Sequence, residues 1–88
     1  MAKTTVTITN SLGMHARPAM AFVDTATGYN SSIKVVKDGQ EVDGKSIMHL
    51  MMLAATKGTQ LDIIADGDDA DAAVAGLKDL VDRKFDEE

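Results

Sequence analysis

The sequence predicts an α+β fold: a four-stranded antiparallel sheet with three helices packed on one face, in the order β-α-β-β-α-β-α. Three observations predict it. The strand-like segments alternate polar and apolar residues, which suits a sheet with one solvated face. Other segments repeat apolar residues at helical spacing. The 88 residues are 44% apolar with one Tyr and two Phe, enough for one modest aliphatic core. A chain of this size closes such a core in two layers, so residues 1–88 are expected to form a single domain.

Thr5 to Thr9 alternates with Val6 and Ile8 on one side, a first strand. Asn10-Ser11-Leu12-Gly13 is a turn. From Ala16 to Thr27, Ala19, Phe22, Val23 and Ala26 fall on one helical face. Pro18 belongs in the first turn, where a missing N–H costs nothing, and Gly28 ends the helix as a C-terminal glycine does. Ile33, Val35 and Val42 alternate around Asp38-Gly39, a hairpin signal. Ser46 caps a short helix containing Ile47, Met48, Leu50, Met51 and Leu53. After a turn at Lys57-Gly58-Thr59, Leu61, Ile63 and Ala65 form a fourth strand. Asp66-Gly67-Asp68-Asp69 opens a final helix striped with Ala70, Ala73, Val74, Leu77 and Val81. Acids at its start and Arg83-Lys84 at its end suit the helix dipole.

Composition removes several function classes. The chain has no cysteine, which excludes disulfides, thiolate metal sites and cysteine nucleophiles, and fits a reducing cytoplasm. Nine basic residues against 14 acidic ones leave a net charge of −5, with no basic stripe for nucleic acid. No apolar run approaches the roughly 18–20 residues of a membrane span, and the polar start is unlike a signal peptide. There is no room for a deep cavity with a lid. Any chemistry is expected near the surface and completed by a partner.

Gly13-Met14-His15-Ala16-Arg17-Pro18-Ala19 is the most informative stretch. His15 precedes a proline-started helix, whose unsatisfied amides and dipole make an anion site. Arg17 adds a planar donor fork for phosphate oxygens. A nucleophilic ring nitrogen one residue from an anion cradle is what a transiently phosphorylated histidine requires.

Leu12 to Ala19 resembles the active-site signature of the HPr family, the histidine-containing phosphocarriers of the bacterial phosphoenolpyruvate:sugar phosphotransferase system. The likeness continues through Lys45-Ser46-Ile47-Met48, Lys57-Gly58 and the Ala-rich last helix, so it covers essentially the whole chain. It implies an open-faced β-sandwich. It also implies that a phosphoenolpyruvate-dependent first enzyme phosphorylates Nδ1 of His15, with Ala16, Arg17 and Pro18 completing the site. The group then passes to sugar-specific or regulatory acceptor proteins. Such a chain is a protein substrate with a covalent nucleophile rather than a stand-alone catalyst. A monomer is expected, with no cofactor and no metal.

Gly39-Gln40-Glu41-Val42-Asp43-Gly44-Lys45-Ser46 matches a phosphate-binding loop in outline. Glu41 and Asp43 would put carboxylates inside the cradle, and the 42 residues after Ser46 are too few for a nucleotide-binding domain. As an exposed helix cap beside Lys45, Ser46 instead matches the family's regulatory serine. That match implies phosphorylation by a dedicated serine kinase, and an alternative role as a regulatory adaptor in carbon or nitrogen control. The short helix is too apolar all round to be buried completely. By the resemblance Ile47, Met48 and Met51, with Met20 of the first helix, form a docking patch beside His15, while Leu50 and Leu53 point inward. His49 lacks a partner at i+3 or i+4 and is read as a solvated or capping residue. Asp66, Asp68, Asp69 and Asp71 resemble part of a calcium loop but lack its closing glutamate, so helix capping explains them.

Overall fold

The computed structural model describes residues 1–86; residues 87 and 88, included in the single-domain expectation, lie outside the described residues. The elements run β1 (Ala2–Thr7), α1 (Ala16–Thr27), β2 (Ser32–Lys37), β3 (Gln40–Asp43), α2 (Ile47–Met52), β4 (Gln60–Asp66) and α3 (Ala70–Asp82). A short 3₁₀ turn, Lys84–Asp86, closes the described chain. The strands form one sheet in the order β1-β4-β2-β3, every neighbouring pair antiparallel. The fold is the four-stranded open sheet with three helices that the alternation predicts.

Register explains the two faces. Val6 pairs with Leu61, Val35 with Ile63, and Ile33 with Ala65, so these side chains share the helix-covered face and are buried. Phe22 and Ala26 of α1, Leu50 of α2, and Ala73, Leu77 and Val81 of α3 complete the core. Full burial of a side chain such as Phe22 contributes about 1.5–3 kcal/mol. The other face carries Lys3, Thr5, Asp62, Lys34 and Glu41. Thr5 donates to Asp62, and Lys3–Asp62 and Lys34–Glu41 are ion pairs at 3.7 and 3.5 Å. These exposed pairs suit a watered sheet face and add little stability.

Several local expectations need correction. The first strand occupies 2–7 rather than 5–9, because its partner β4 begins at Gln60, opposite Thr7. Ile8 lies past the ladder but remains buried; its amide donates to Thr59 and its carbonyl accepts from Gly58. Gly28 ends α1 without a left-handed glycine: its φ is −74°, and Gly28 and Tyr29 donate to Thr25 and Ala26 in a tightened last turn. Asp38 and Gly39 have φ of 49° and 83°, the two positive values that a tight hairpin needs. Their return strand β3 is the middle of the phosphate-loop look-alike. α3 ends at Asp82, so Arg83 and Lys84 lie past its last turn. Arg83 is held by Asp79 and Asp86. Phe85, outside every periodic segment, is buried in the closing turn, and its ring burial offsets a left-handed backbone at Lys84, Phe85 and Asp86.

The aspartate run is also used differently from the capping role expected of it. Asp69 stands at the α3 N-cap but makes no side-chain capping bond. Its carboxylate instead accepts from the Asn30 amide (2.8 Å), the Ser31 amide (2.9 Å) and the buried Ser31 hydroxyl. This cross-link ties the start of α3 to the loop between α1 and β2. The Ser31 hydroxyl first, then the Asn30 amide, holds the Asp69 carboxyl below its ordinary value of 3.8. A lowered folded pKa stabilises above the unfolded pKa, and that contribution disappears as pH falls through the folded value. Asp69→Asn is therefore expected to be less stable than the parent at pH 7, with the gap closing in acid. Urea midpoints measured from pH 7 down to pH 2 check this; a constant gap would contradict it.

Candidate functional site

His15 occupies the N-cap of α1 with extended backbone (φ −83°, ψ −171°) and makes no side-chain capping bond. A serine or aspartate here would spend its oxygen on the first-turn amides; the imidazole does not. Ala19 donates its amide to the His15 carbonyl at 3.0 Å, and Pro18 has no N–H. The first-turn donors left by helix geometry are therefore the amides of Ala16 and Arg17. His15 is half-buried, Ala16 and Arg17 are exposed, and Pro18 is buried. The Arg17 guanidinium makes no hydrogen bond or ion pair with another described residue. The predicted histidine, cradle amides and arginine thus come together at one helix mouth, in the open, with Pro18 packed beneath.

What holds that mouth in place is a loop. The Asn10 side-chain amide donates to the Gly13 carbonyl at 2.7 Å, the Gly13 amide donates to the Asn10 carbonyl, and the His15 amide donates to the Gly13 carbonyl. Met14 donates to the Ala55 carbonyl at 2.8 Å, docking the loop onto the chain that follows α2. Gly13 has φ +67°, and a Cβ there would stand 2.3 Å from the Ala55 oxygen. The position requires glycine on both counts. Asn10 and Met14 are buried beneath the loop. The sequence reading saw only a turn here, because a side chain closing its own loop leaves no periodic mark.

The residues expected to form a docking patch are exposed, Met20 by 52%, Ile47 by 38%, Met48 by 75% and Met51 by 44%, whereas Leu50 and Leu53 are buried. Met20 lies one turn beyond Ala16 on the same face of α1. α1 packs on α2, and the Met14–Ala55 bond brings the end of α2 to the start of α1. Leu12 and Met52, 74% and 64% exposed, extend the apolar surface and were absent from the predicted patch. The signal for Leu12 was a large apolar residue in a loop with no strand or helix to bury it.

Ser46 lies apart. It caps α2, its hydroxyl accepting from the His49 amide at 3.2 Å. Ser46 as a residue is half-buried, and the Lys45 ammonium donates to the Tyr29 carbonyl at 2.9 Å. The six residues of α2, at about 1.5 Å each, put roughly 9 Å of helix between Ser46 and the end nearest His15.

Comparison with known proteins agrees with this arrangement. A family profile described as "PTS HPr component phosphorylation site" matches residues 2–83. The phosphocarrier protein HPr of Neisseria meningitidis serogroup A is 45% identical over 87 residues, covering 99% of this chain and 98% of that protein. A crystal structure of HPr from Thermoanaerobacter tengcongensis superposes with a TM-score of 0.96 at 44% identity, covering 100% of this chain and 99% of the other. The catabolite repression protein Crh of Bacillus subtilis, crystallised as a dimer with a swapped domain, gives a TM-score of 0.77 at 38% identity, covering 96% and 97%.

Gly13→Ala is expected to cost about 1–3 kcal/mol of folding stability, from left-handed strain and the collision with Ala55. Denaturant unfolding measures it. An unchanged midpoint would mean that the loop does not need its glycine.

Proposed function

The chain belongs to the HPr family of phosphotransferase-system phosphocarriers, and on that premise we propose that His15 is the residue that receives and returns the phosphoryl group. The observation that supports this most is an imidazole at a helix N-cap that does no capping, beside two amides and an uncommitted arginine.

In the proposed cycle the lone pair on His15 Nδ1 forms the N–P bond as the bond to the donor breaks, the electron pair staying with the donor. The donor is the phosphoenolpyruvate-dependent first enzyme of the system. The phosphoryl group in flight spreads its charge over three oxygens, so positioning and charge neutralisation do most of the work. Ala16 and Arg17 amides and the Arg17 fork are suited to those oxygens. Pro18 holds the first turn rigid and keeps a third amide out of the cradle. The reverse steps deliver the group to a sugar-specific or regulatory acceptor. Both exchanges use the apolar face formed by Met20, Ile47, Met48 and Met51, which accommodates different partners because methionine side chains adapt their shape. The carrier form is a monomer, since one face must be free for donor and acceptor in turn. The exchange is proposed for the cytoplasm on the ground of family membership; separately, among the described residues no helix is long and apolar enough to cross a membrane.

Ser46 supports a second role, regulation by a serine kinase. A phosphate there would bring roughly −1.5 to −2 charge to the start of α2, favourable to the helix and hostile to an acidic partner approaching the adjoining Ile47 and Met48. The likeness to Crh, a protein named for catabolite repression, supports a regulatory role.

Incubation with the first enzyme and labelled phosphoenolpyruvate is expected to put acid-labile label on the chain, and His15→Ala to abolish it. Arg17→Ala should slow transfer roughly 10–100-fold with folding intact, the value of one charge-assisted contact. Transfer at the parental rate in that variant would remove the arginine from the mechanism. Acid-stable label at Ser46 in cells would establish the regulatory role, and phosphoproteome coverage of that peptide without phosphoserine would remove it.

A further inference from the structure

We infer that Met20, Met48, Met51 and Met52 form an oxidation-sensitive modification site, at which peroxide-class oxidants switch partner docking off while leaving the fold intact. The inference rests on the docking role proposed above. It goes beyond that role in assigning a covalent modification to the surface.

The distribution of sulfur carries it. The chain has six methionines and no cysteine, so thioethers are its only sulfur available to an oxidant. Met14 is buried at 4% exposure beneath the His15 loop, while Met20, Met48, Met51 and Met52 are 44–75% exposed. Met48, Met51 and Met52 stand at i, i+3 and i+4 and share one face of α2. Met20 joins them from the face of α1 that carries Ala16. Of the six methionines, three lie on the face assigned to partners, Met52 extends it, Met1 is exposed at the chain start away from it, and Met14 beneath the site is protected.

The chemistry is balanced by the oxidant alone. The thioether lone pair attacks one oxygen of hydrogen peroxide, an S–O bond forms and the O–O bond breaks, and one water leaves. Sulfur loses two electrons and peroxide gains them. The product is a polar, chiral sulfoxide in place of an adaptable apolar group, and it is reversible by methionine sulfoxide reductases. A patch that binds by shape-tolerant apolar contact then presents four strong acceptors that a partner must desolvate. Leu50 and Leu53, which hold α2 to the core, contain no sulfur, so the helix stays in place.

The full-length chain is treated with hydrogen peroxide at neutral pH and mapped by peptide mass spectrometry. The expected result is gain of one oxygen at each of the four patch methionines and at Met1, which is 89% exposed on the open sheet face away from the patch, and none at Met14, with the circular dichroism spectrum unchanged. The KM of the first enzyme for the oxidised chain should rise about tenfold, the loss of about 1.4 kcal/mol of contact, and sulfoxide reductase should restore it. In M20L/M48L/M51L/M52L, whatever its starting KM, the same treatment should leave KM where it was. Oxidation of Met14 in step with the four, or an equal rise of KM in the leucine variant, overturns the inference. So does an unchanged KM in a fully oxidised parent. Untreated parent that takes no label at His15 defeats the carrier role itself, and the docking switch falls with it.

Discussion

One contact organises the rest of the site: the bond from the Met14 amide to the Ala55 carbonyl. It fastens the loop after β1 to the chain that leaves α2, and so sets where α1 begins. Without it, the eight-residue connection between β1 and α1, anchored at its start by Ile8, would lose its tie to the end of α2. Gly13 makes the approach sterically admissible, since its left-handed backbone and missing Cβ let two main chains meet where a side chain would stand 2.3 Å from an oxygen. Asn10 then closes the loop from inside, its buried side-chain amide giving the Gly13 carbonyl a second donor beside the His15 amide. The functional geometry is thus a backbone property, held by groups that never touch the reacting atoms.

A second consequence of the same architecture is the division of labour between the two faces of the sheet. Period-two alternation sends the buried aliphatic side chains to one side, while the other carries the charges with half-buried Val36 and Ile64 among them, so the core lies between sheet and helices. The three helices must then cover that core alone. α1 and α3 are long enough to do so with a buried stripe each. The six-residue α2 buries Leu50 from within and Leu53 at its cap, and the remaining apolar residues have nowhere to go but outward. The exposed methionine surface follows from a short, apolar helix on a one-sided sheet.

Legibility in the sequence divides along the same physical lines. Periodic features were readable: the buried faces of α1 and α3, the Asp38-Gly39 hairpin, the strand alternation, and the placement of Leu50 and Leu53. The gathering of His15, Arg17 and Pro18 at the helix start was readable because residue type and helix start coincide within four positions. What escaped were contacts between segments far apart in the chain. Asp69 looked like a cap and is a tether to Ser31, 38 residues away. Lys45 looked like a neighbour of Ser46, but its amine reaches back to the Tyr29 carbonyl. The start of β1 was misplaced because register is set by the partner strand, not by the alternation of the strand itself. Phe85 was invisible because a single aromatic in a left-handed turn has no pattern to announce it.

The sparseness of the cradle is itself informative. A helix N-terminus presents up to four free amides, and sites that retain anions add charged side chains around them. Here Pro18 has no N–H to give, Ala19 donates to His15, and Arg17 is long, exposed and uncommitted. In the proposed role, two amides and one exposed guanidinium would neutralise a group in passing and be too few to trap it. For a protein that must give up what it accepts, tighter holding would be a defect, because every interaction made equally with the bound group and the group in transit deepens the well without lowering the barrier. The open position of His15 follows the same logic. In the proposed role, a nucleophile at the bottom of a pocket would serve one substrate, whereas one half-buried at a helix mouth, with exposed methionines on α1 and α2, would present the same atom to proteins of different shape.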